Sequence, residues 1–397
     1  MSVDYRRIDV ASVFKGEVLA GELRRDNDDV TFTYADDYLS GTGPPIATTL
    51  PLRRAPYVER GGAVPPFFAG LLPEGRRQTA VREKLKTSAD DEFTQLIAVG
   101  SDCIGDVRVL TLQGEDDPDD VKVPDAPVEF RALFADILAT RPLADRSMPG
   151  VQDKLSDEMI SVPVTGRYGP AIVKLSPAAY PRIVENEAFC LDLARRCGLV
   201  VPRHRIISDV AGETALVVER FDRIASRGGV TRIAQEDAVQ LLGRWPASKY
   251  LLSTREVIRA VAAVSAAPTV EALGVVRLFA FSYLIGNGDL HGKNVSVSFS
   301  GGLWRLAPAY DLVSTLPYGD RSMALSLEGR DDNVRLRDFV ALAAREGVGE
   351  RAVRRAVAQI CTGCATWIEG AVAIGFDDRT TAHLIRTTRR RLADLAD

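Results

Sequence analysis

The stretch Asn287-Gly288-Asp289-Leu290-His291-Gly292-Lys293-Asn294, with Tyr310-Asp311-Leu312 after it, decides how this chain of 397 residues is interpreted. It places a carboxylate, an amide at the end of the same loop and a second carboxylate further along. Asp289 can accept the proton of an attacking hydroxyl, and Asn294 and Asp311 can hold magnesium between phosphates. These residue types in this order predict phosphoryl transfer from ATP.

The flanking sequence predicts that the two acidic segments meet. An apolar run at 275–286 is typical of a buried helix, and the turn formers after it end that helix. Two strands are predicted next, at 295–299 and 304–306, with Gly301-Gly302 as their turn. Such a hairpin returns the chain to its start, where oxygen ligands on two adjacent loops suit magnesium. Each of the three residues alone also fits an ordinary turn or helix cap, and only the set favours the catalytic interpretation.

Composition indicates a globular protein of the cytoplasm. Hydrophobic residues make up 46% and charged residues 26% of the chain, which is ordinary for a soluble globular protein. The net charge of −4 does not indicate a protein that binds nucleic acid through its overall charge. Contact with DNA is therefore expected only through a basic patch or a partner protein. The amino terminus has no apolar core of signal-peptide length, and no uninterrupted apolar run reaches a membrane span.

The five cysteines are an odd number, which argues against a complete disulfide framework. Cys361 and Cys364 form a single CxxC inside a predicted helix, with no second CxxC and no histidine nearby. Two thiols on one face of a core helix are therefore favoured over a zinc site.

The predicted fold class is α+β, with a bilobal protein-kinase-like body behind an N-terminal β-rich module. Strand-like segments at 30–34 and 107–112 are separated by turn-rich stretches with proline and glycine. The predicted parts are an N-terminal module at 1–112, an acidic linker at 113–127, a kinase N-lobe at 128–224 and a helical C-lobe at 225–397.

The predicted N-lobe has the order of elements expected of a kinase. A buried strand at 171–175 carries Lys174, which can contact the α and β phosphates. Because a buried ammonium needs an anionic partner, Glu187 on the next helix is expected to pair with it, with Glu185 as the competing partner. A second strand ends in Glu219-Arg220-Phe221, the predicted hinge at which the adenine binds.

Four segments together make the interpretation more specific. They are 68–75, which contains Leu72-Pro73-Glu74-Gly75, the loop 147–154 with Ser147, Gly150 and Gln152, the segment 218–223 followed by Gln235-Glu236-Asp237, and 289–311. In order and spacing these motifs cover nearly the whole chain. With them the chain resembles the HipA family of bacterial serine/threonine protein kinases, the toxins of HipA–HipB toxin–antitoxin pairs.

The resemblance implies a role for each matching position. It makes Asp289 the catalytic base, assisted by Lys174 and Asn294, and it assigns Asn294 and Asp311 to magnesium. The positions that it assigns to ATP are Pro149, Gly150, Val151, Gln152, Asp153 and Lys154 in a phosphate loop, Lys174, Glu219, Arg220 and Phe221 in the N-lobe, and His291, Gly292, Lys293, Asn294, Tyr310 and Asp311 around the catalytic loop.

The phosphate loop carries an expected switch and some departures from common kinase motifs. Ser147 holds the position that the family autophosphorylates, and a phosphate there adds a charge of about −1.5 to −2 where the phosphates of ATP belong. The loop has a single glycine, Gly150, and Pro149 before it removes one backbone N–H from the phosphate cradle. No arginine precedes Asp289 in the catalytic loop.

The resemblance implies a growth-arresting kinase toxin that uses ATP and Mg²⁺. The implied partners are a protein substrate, with glutamyl-tRNA synthetase as the type of target known for the family, and a HipB-like helix-turn-helix antitoxin through which DNA is reached. Surfaces at 235–237 and 244–250 are expected to choose the substrate.

Two other functional classes remain open. The loop Asn-Gly-Asp-Leu-His-x-x-Asn also approaches that of small-molecule phosphotransferases of the aminoglycoside type, although the N-terminal module argues against them. The third class is a catalytically weak kinase fold that serves as corepressor with a DNA-binding antitoxin. The filled catalytic positions argue against that class.

Overall fold

The computed structural model describes residues 4–111, 129–131, 160–164, 169–226 and 229–396. The predicted linker 113–127, the phosphate loop 149–154 and the expected autophosphorylation site Ser147 lie outside the described residues. The chain divides into two compact units. Unit 1 comprises Met1–Val151, Pro163–Pro170 and Asp222–Pro246, and unit 2 comprises Gln152–Val162, Ala171–Phe221 and Ala247–Asp397.

The described residues form the following regular elements. The strands are β1 (Val10–Lys15), β2 (Val18–Asp26), β3 (Asp29–Tyr34), β4 (Tyr57–Glu59), β5 (Val107–Leu110), β6 (Ile160–Val164), β7 (Ala171–Leu175), β8 (His204–Ser208), β9 (Thr214–Glu219), β10 (Arg223–Ser226), β11 (Gly229–Arg232), β12 (Gln235–Asp237), β13 (Ser296–Ser300) and β14 (Leu303–Leu306). The helices are α1 (Asp36–Ser40), α2 (Pro66–Ala69), α3 (Gly75–Leu85), α4 (Glu92–Val99), α5 (Ile183–Arg196), α6 (Ala238–Leu241), α7 (Thr254–Val264), α8 (Pro268–Ile285), α9 (Leu336–Ala344), α10 (Glu350–Trp367) and α11 (Asp378–Ala396).

Unit 1 is built on a five-stranded antiparallel sheet with the strand order β4-β3-β2-β1-β5. Alternate residues of β3 are buried, and the Phe32 ring lies 4.8 Å from the Tyr34 ring and 5.3 Å from the Phe68 ring. The strands predicted at 30–34 and 107–112 are confirmed by β3 and β5. Helices α3 and α4 are not among the predicted elements. Helix α3 is rich in charged side chains and shows no apolar periodicity, whereas α4 carries the apolar residues Phe93, Leu96 and Ile97.

The segment of unit 1 at 222–246 is anchored by buried polar groups. Arg223 donates to the carboxylate of Asp222 at 2.7 Å and to the carbonyl of Gly105 at 2.8 Å. Glu236 accepts hydrogen bonds from the backbone N–H and the hydroxyl of Thr48, at 2.8 and 2.7 Å. Glu236 and Asp237 are both buried, so the expectation that 235–237 forms a substrate surface is wrong for these two residues.

The sheet of unit 2 has the strand order β6-β7-β9-β8, and β9 pairs antiparallel with both β7 and β8. Helix α5 packs against this sheet and ends at Arg196. The backbone of Gly198 has a φ of +78°, a conformation that glycine adopts without strain. The prediction of a strand at 171–175 followed by a helix that a glycine ends is therefore confirmed.

The rest of unit 2 is a helical body around α8, whose C-terminal half is buried on all sides. Helix α8 ends at Ile285, and Gly286 follows with a φ of +69°. A Cβ atom on Gly286 would lie 2.4 Å from the side chain of Leu316, so only glycine fits there. The predicted buried helix and the hairpin after it are confirmed, since β13 and β14 pair in register with Phe299 opposite Trp304.

Two helical segments of the described chain are long and apolar enough to cross a membrane by length and composition. They are Pro268–Ile285, with 61% of its most apolar window buried, and Glu350–Ile374, with 33% buried. Glu271 and Arg277 interrupt the first segment, and its burial is that of a core helix of a globular protein.

The thiols of α10 belong to the helical body. Cys364 is buried, with its Sγ 3.6 Å from that of Cys197, whereas Cys361 is partly exposed. Across the described ranges, no group of three or more His, Cys, Asp or Glu side chains could hold a metal ion. The prediction of two core thiols on one helix face thus holds for Cys364 and only in part for Cys361.

Candidate active site

The loop after α8 holds Asp289 in one conformation. The side-chain oxygen of Asn287 accepts a hydrogen bond from the backbone N–H of Asp289 at 2.9 Å, which closes a tight turn. The Asn294 side chain then donates to the backbone carbonyl of Asp289 at 2.9 Å. Both ends of the loop are therefore tied to the residue predicted as the base, and Asp289 and Asn294 are buried.

The segment at 310–315 is bonded to this loop at two places. The Tyr310 hydroxyl donates to the backbone carbonyl of Lys293 at 2.6 Å. The Thr315 hydroxyl donates to the carbonyl of Gly286 and accepts from the N–H of Gly288, each at 2.9 Å. The hairpin thus returns Asp311 to the loop, as the strand and turn pattern predicted. The backbone of Asp311 has a φ of +52°, a strained value that aspartate tolerates better than most residues.

Lys174 connects β7 to this region. Its ammonium donates to both carboxylate oxygens of Glu187, at 2.7 and 2.9 Å, and it also forms an ion pair with Asp311. Glu185, the competing partner, pairs instead with Arg182 at 2.9 Å. The residues on β7, on α5 and after β14 thus meet at one point, where Lys174 is 6% exposed and Glu187 is 1% exposed.

Burial and charge act in opposite directions on this cluster. Burial alone would lower the pKa of Lys174, but the carboxylates of Asp311 and Glu187 raise it above its usual range. Burial raises the pKa of Glu187, and the nearby charge of Asp311 adds to that rise against the opposing effect of Lys174. One ammonium thus faces two carboxylates, and the cluster carries a surplus of negative charge.

The donor set fits a magnesium ion. The Asn294 amide commits its nitrogen to the carbonyl of Asp289, so the amide oxygen is the atom left to act as a ligand. The Asp311 side chain is 33% exposed, and its carboxylate is one of the two that face the single ammonium of Lys174. Amide and carboxylate oxygens are the hard donors that magnesium prefers, with water completing the shell.

The predicted hinge residues occupy different environments. Strand β9 ends at Glu219, whose backbone N–H donates to the carbonyl of Arg203 at 2.8 Å. Arg220 is buried and Glu219 is exposed. The Phe221 ring lies 5.7 Å from that of Tyr310, and the two planes are tilted by 38°. Two residues assigned to ATP from distant parts of the sequence therefore pack together.

The other residues assigned to the nucleotide lie on the catalytic loop. His291 and Gly292 are buried, and Lys293 is partly exposed. The backbone N–H of Gly292 donates to the carbonyl of Lys249 at 3.0 Å, which fixes the loop from a neighbouring turn. These three residues thus lie beside Asp289 and Asn294, whereas Pro149 to Lys154 lie outside the described residues.

The sequence analysis missed the contact between Tyr250 and Asp289. The Tyr250 hydroxyl donates to a carboxylate oxygen of Asp289 at 2.7 Å. The stretch 244–250 was assigned only to substrate choice, and no spacing rule connects its last residue to a loop that lies beyond two helices. A signal for this contact exists only in the folded structure.

Comparisons with known proteins identify both halves of the chain. Residues 11–110 match the model of the HipA N-terminal domain, and residues 146–368 match that of the HipA-like C-terminal domain. A candidate kinase of Sinorhizobium fredii, named Y4mE, is 30% identical over 95% of this chain and 94% of its own length. The serine/threonine-protein kinase toxin HipA of Shewanella oneidensis is 26% identical over 84% of this chain and 82% of its own length.

A solved structure establishes the fold class. It is the complex of the Shewanella oneidensis MR-1 toxin–antitoxin proteins HipA and HipB with operator DNA, in which one chain aligns with a TM-score of 0.78 and 21% identity. The alignment covers 97% of both chains, so the prediction of a protein-kinase-like α+β fold is confirmed. The two domain matches and the 30% identity to a relative of nearly equal length show that the chain belongs to the HipA family.

Proposed function

We propose that this chain is a serine/threonine protein kinase that uses ATP and magnesium. The observation that supports the proposal best is the meeting of Lys174, Glu187 and Asp311 next to a loop that fixes Asp289 and Asn294. The names of the relatives, a kinase toxin and a candidate kinase, agree with this proposal.

Each residue has a defined part in the proposed reaction. Asp289 accepts the proton of the attacking hydroxyl, and its fixed backbone positions the carboxylate before the substrate arrives. Asn294 and Asp311 would hold magnesium, which would supply positive charge against the charge that develops on the phosphates. With Asp311 committed to that ion, the Lys174 ammonium would be available to donate to a phosphate of ATP. Glu187 keeps that ammonium in place throughout.

Phe221 and Tyr310 form the proposed adenine side of the site, with Glu219 and Arg220 supplying backbone groups at the hinge. Two aromatic rings in contact offer an apolar edge against which a purine can pack. His291, Gly292 and Lys293 line the phosphate side of the catalytic loop. Residues Pro149 to Lys154 would form the phosphate loop, and Ser147 at its head would be autophosphorylated to inactivate the enzyme.

The proposed biological role is that of a growth-inhibiting toxin. The Shewanella oneidensis structure contains HipA, HipB and operator DNA, which supports a HipB-like antitoxin as the partner of this chain and contact with DNA through that partner. The proposed substrate is a translation enzyme such as an aminoacyl-tRNA synthetase, and the proposed location is the cytoplasm.

Labelled ATP tests the proposal directly. The purified chain is incubated with radiolabelled ATP and Mg²⁺, alone, with the candidate synthetase or with an aminoglycoside, and the label is located by mass spectrometry. Label on a serine supports the protein kinase, and label on the aminoglycoside alone supports a small-molecule phosphotransferase. A protein that neither binds ATP nor transfers phosphate supports the non-catalytic corepressor.

The Asp289→Asn variant is the matched control for this experiment. It should lose about 10²- to 10⁴-fold in transfer rate, the usual contribution of a general base, while its affinity for ATP is unchanged. A folded Asp289→Asn protein that transfers phosphate at the rate of the natural chain would exclude Asp289 as the base.

A further inference from the structure

We propose that Tyr250 is a positioning residue that aims the carboxylate of Asp289 at the substrate hydroxyl. The inference rests on the proposed function, because it assigns a second group to the same base. Tyr250 lies before α7, outside the catalytic loop, and its hydroxyl donates to one carboxylate oxygen of Asp289 at 2.7 Å. Both residues belong to unit 2.

The Tyr250 hydroxyl is held in place by its surroundings. The Tyr250 ring meets the His291 ring edge to face, with the centroids 4.9 Å apart and the planes at 80°. The Lys249 ammonium lies 5.3 Å from the centre of the Tyr250 ring. The carbonyl of Lys249 accepts the N–H of Gly292 at 3.0 Å, so the backbone next to Tyr250 is bonded to the catalytic loop. The turn and the loop are therefore joined through both backbone and side-chain contacts, with the phenol directed at the base.

A hydrogen bond from a phenol to an ionised carboxylate is charge-assisted, which makes it shorter and about twice as strong as a neutral one. The backbone contacts described above fix where the Asp289 main chain lies, but they do not fix the rotation of its side chain. The Tyr250 hydroxyl adds a restraint on that rotation. A carboxylate has two oxygens and about four lone-pair positions, so the bond from Tyr250 uses only one of the positions at which it can accept a hydrogen.

The main alternative to this inference is that the Tyr250 hydroxyl itself accepts the phosphate. A hydroxyl bonded to a catalytic base is also the arrangement expected of a phosphate acceptor. The structure favours positioning, because the ring is fixed by His291 and Lys249 rather than presented on an open segment. Phosphate found on Tyr250 after incubation with ATP would overturn the inference in favour of the acceptor.

The test compares two variants that each remove one phenolic hydroxyl. Tyr250→Phe keeps the ring on His291 but removes the donor to Asp289. Tyr283→Phe is the control, since the buried Tyr283 hydroxyl has no hydrogen-bond partner among the described residues. We expect kcat for phosphate transfer to fall by about 10- to 100-fold in Tyr250→Phe, with the Kd for ATP unchanged and the Tm lowered by only a few degrees. Tyr283→Phe should match the natural chain in kcat.

A double-mutant cycle separates positioning from a general structural effect. If Tyr250 acts through Asp289, adding Tyr250→Phe to Asp289→Asn should lower the residual rate by less than about twofold, because the two groups work as a unit. Full additivity, or a kcat for Tyr250→Phe equal to that of the natural chain, would overturn the inference while the proposed function stands. A natural chain that transfers no phosphate would overturn both.

Discussion

Both units contain a cluster of buried ions, and the two clusters differ in their balance of charge. In unit 1, ion pairs among the described residues join Arg223 and Arg232 to the carboxylates of Asp222 and Asp102, two cations with two carboxylates. In unit 2, the single ammonium of Lys174 faces two carboxylates, those of Glu187 and Asp311.

The difference separates a structural cluster from one that is suited to a ligand. A balanced cluster whose donors also bond to backbone carbonyls contributes by fixing the chain segment that carries it. A cluster with a surplus negative charge is stable only next to solvent or a cation. The exposed part of the Asp311 carboxylate is the place where a cation from outside the chain can bind.

The largest expected effects come from the unbalanced cluster. Lys174→Met and Asp311→Asn should each lower phosphate transfer by about 10³-fold, because the first removes the cation proposed to contact a phosphate and the second removes a carboxylate proposed to hold magnesium. Their effects on folding should differ. Lys174→Met leaves two carboxylates without a cation and should lower the free energy of unfolding by about 3–5 kcal/mol. Asp311→Asn removes the surplus charge, and because Asp311 is a third exposed it should cost at most about 1 kcal/mol.

Urea denaturation and a transfer assay on the same preparations measure both quantities. Glu185→Gln is the control, since Glu185 pairs with Arg182 rather than with Lys174, and it should alter neither quantity strongly. If Asp311→Asn destabilises the protein as much as Lys174→Met does, the description of this cluster as unbalanced in charge is wrong.

The balanced cluster should give the opposite pattern. Arg223→Met leaves the buried Asp222 carboxylate without its cation and should lower the free energy of unfolding by about 3–5 kcal/mol. The rate of transfer per folded molecule should be unchanged, because the cluster lies in unit 1 and none of its members is assigned to ATP. Arg24→Met is the matched control, since the Arg24–Glu22 pair is exposed and worth about 0–1 kcal/mol. A folded Arg223→Met protein that binds ATP but no longer transfers phosphate would show that the balanced cluster also serves catalysis.

The sequence predicted unit 2 better than unit 1, for physical reasons. The Lys174 strand, the Glu187 helix and the hairpin before Asp311 each follow from a local pattern, and their order matches a known motif. Helix α3 has no apolar period. Helix α4 does have a local signal, with Asp91 as its N-cap and Phe93, Leu96 and Ile97 buried, but it is only eight residues long.

Contacts between distant segments that no motif connects could not be predicted. The hydroxyl of Tyr250 on Asp289, the Thr315 hydroxyl that binds the loop and the bonds of Thr48 to Glu236 all join residues far apart in sequence. Spacing carries no information about such pairs, because the intervening chain can take many paths. This is why Glu236 was assigned to a substrate surface, although it is a buried anchor of unit 1.

The smallest expected effect concerns pH and Glu236, one of the buried carboxylates of unit 1. Burial raises the pKa of Glu236 to about 6, against the opposing hydrogen bonds of Thr48, from an ordinary value of 4.5. Since the folded state holds this proton more tightly than the unfolded state, its stabilising effect is present below about pH 4.5. It is lost as the pH rises through 6, and the total amounts to about 2 kcal/mol.

Glu236→Gln should abolish this component, because an amide does not titrate. We therefore compare the free energy of unfolding of the natural chain with that of Glu236→Gln at two pH values. The natural chain minus the variant should be about 2 kcal/mol larger at pH 4.5 than at pH 7. The control is Glu22→Gln, at an exposed position, for which the same difference should stay nearly constant. A difference that grows with pH instead would mean that Glu236 is stabilised as the charged form, and that unit 1 holds a further cation next to it.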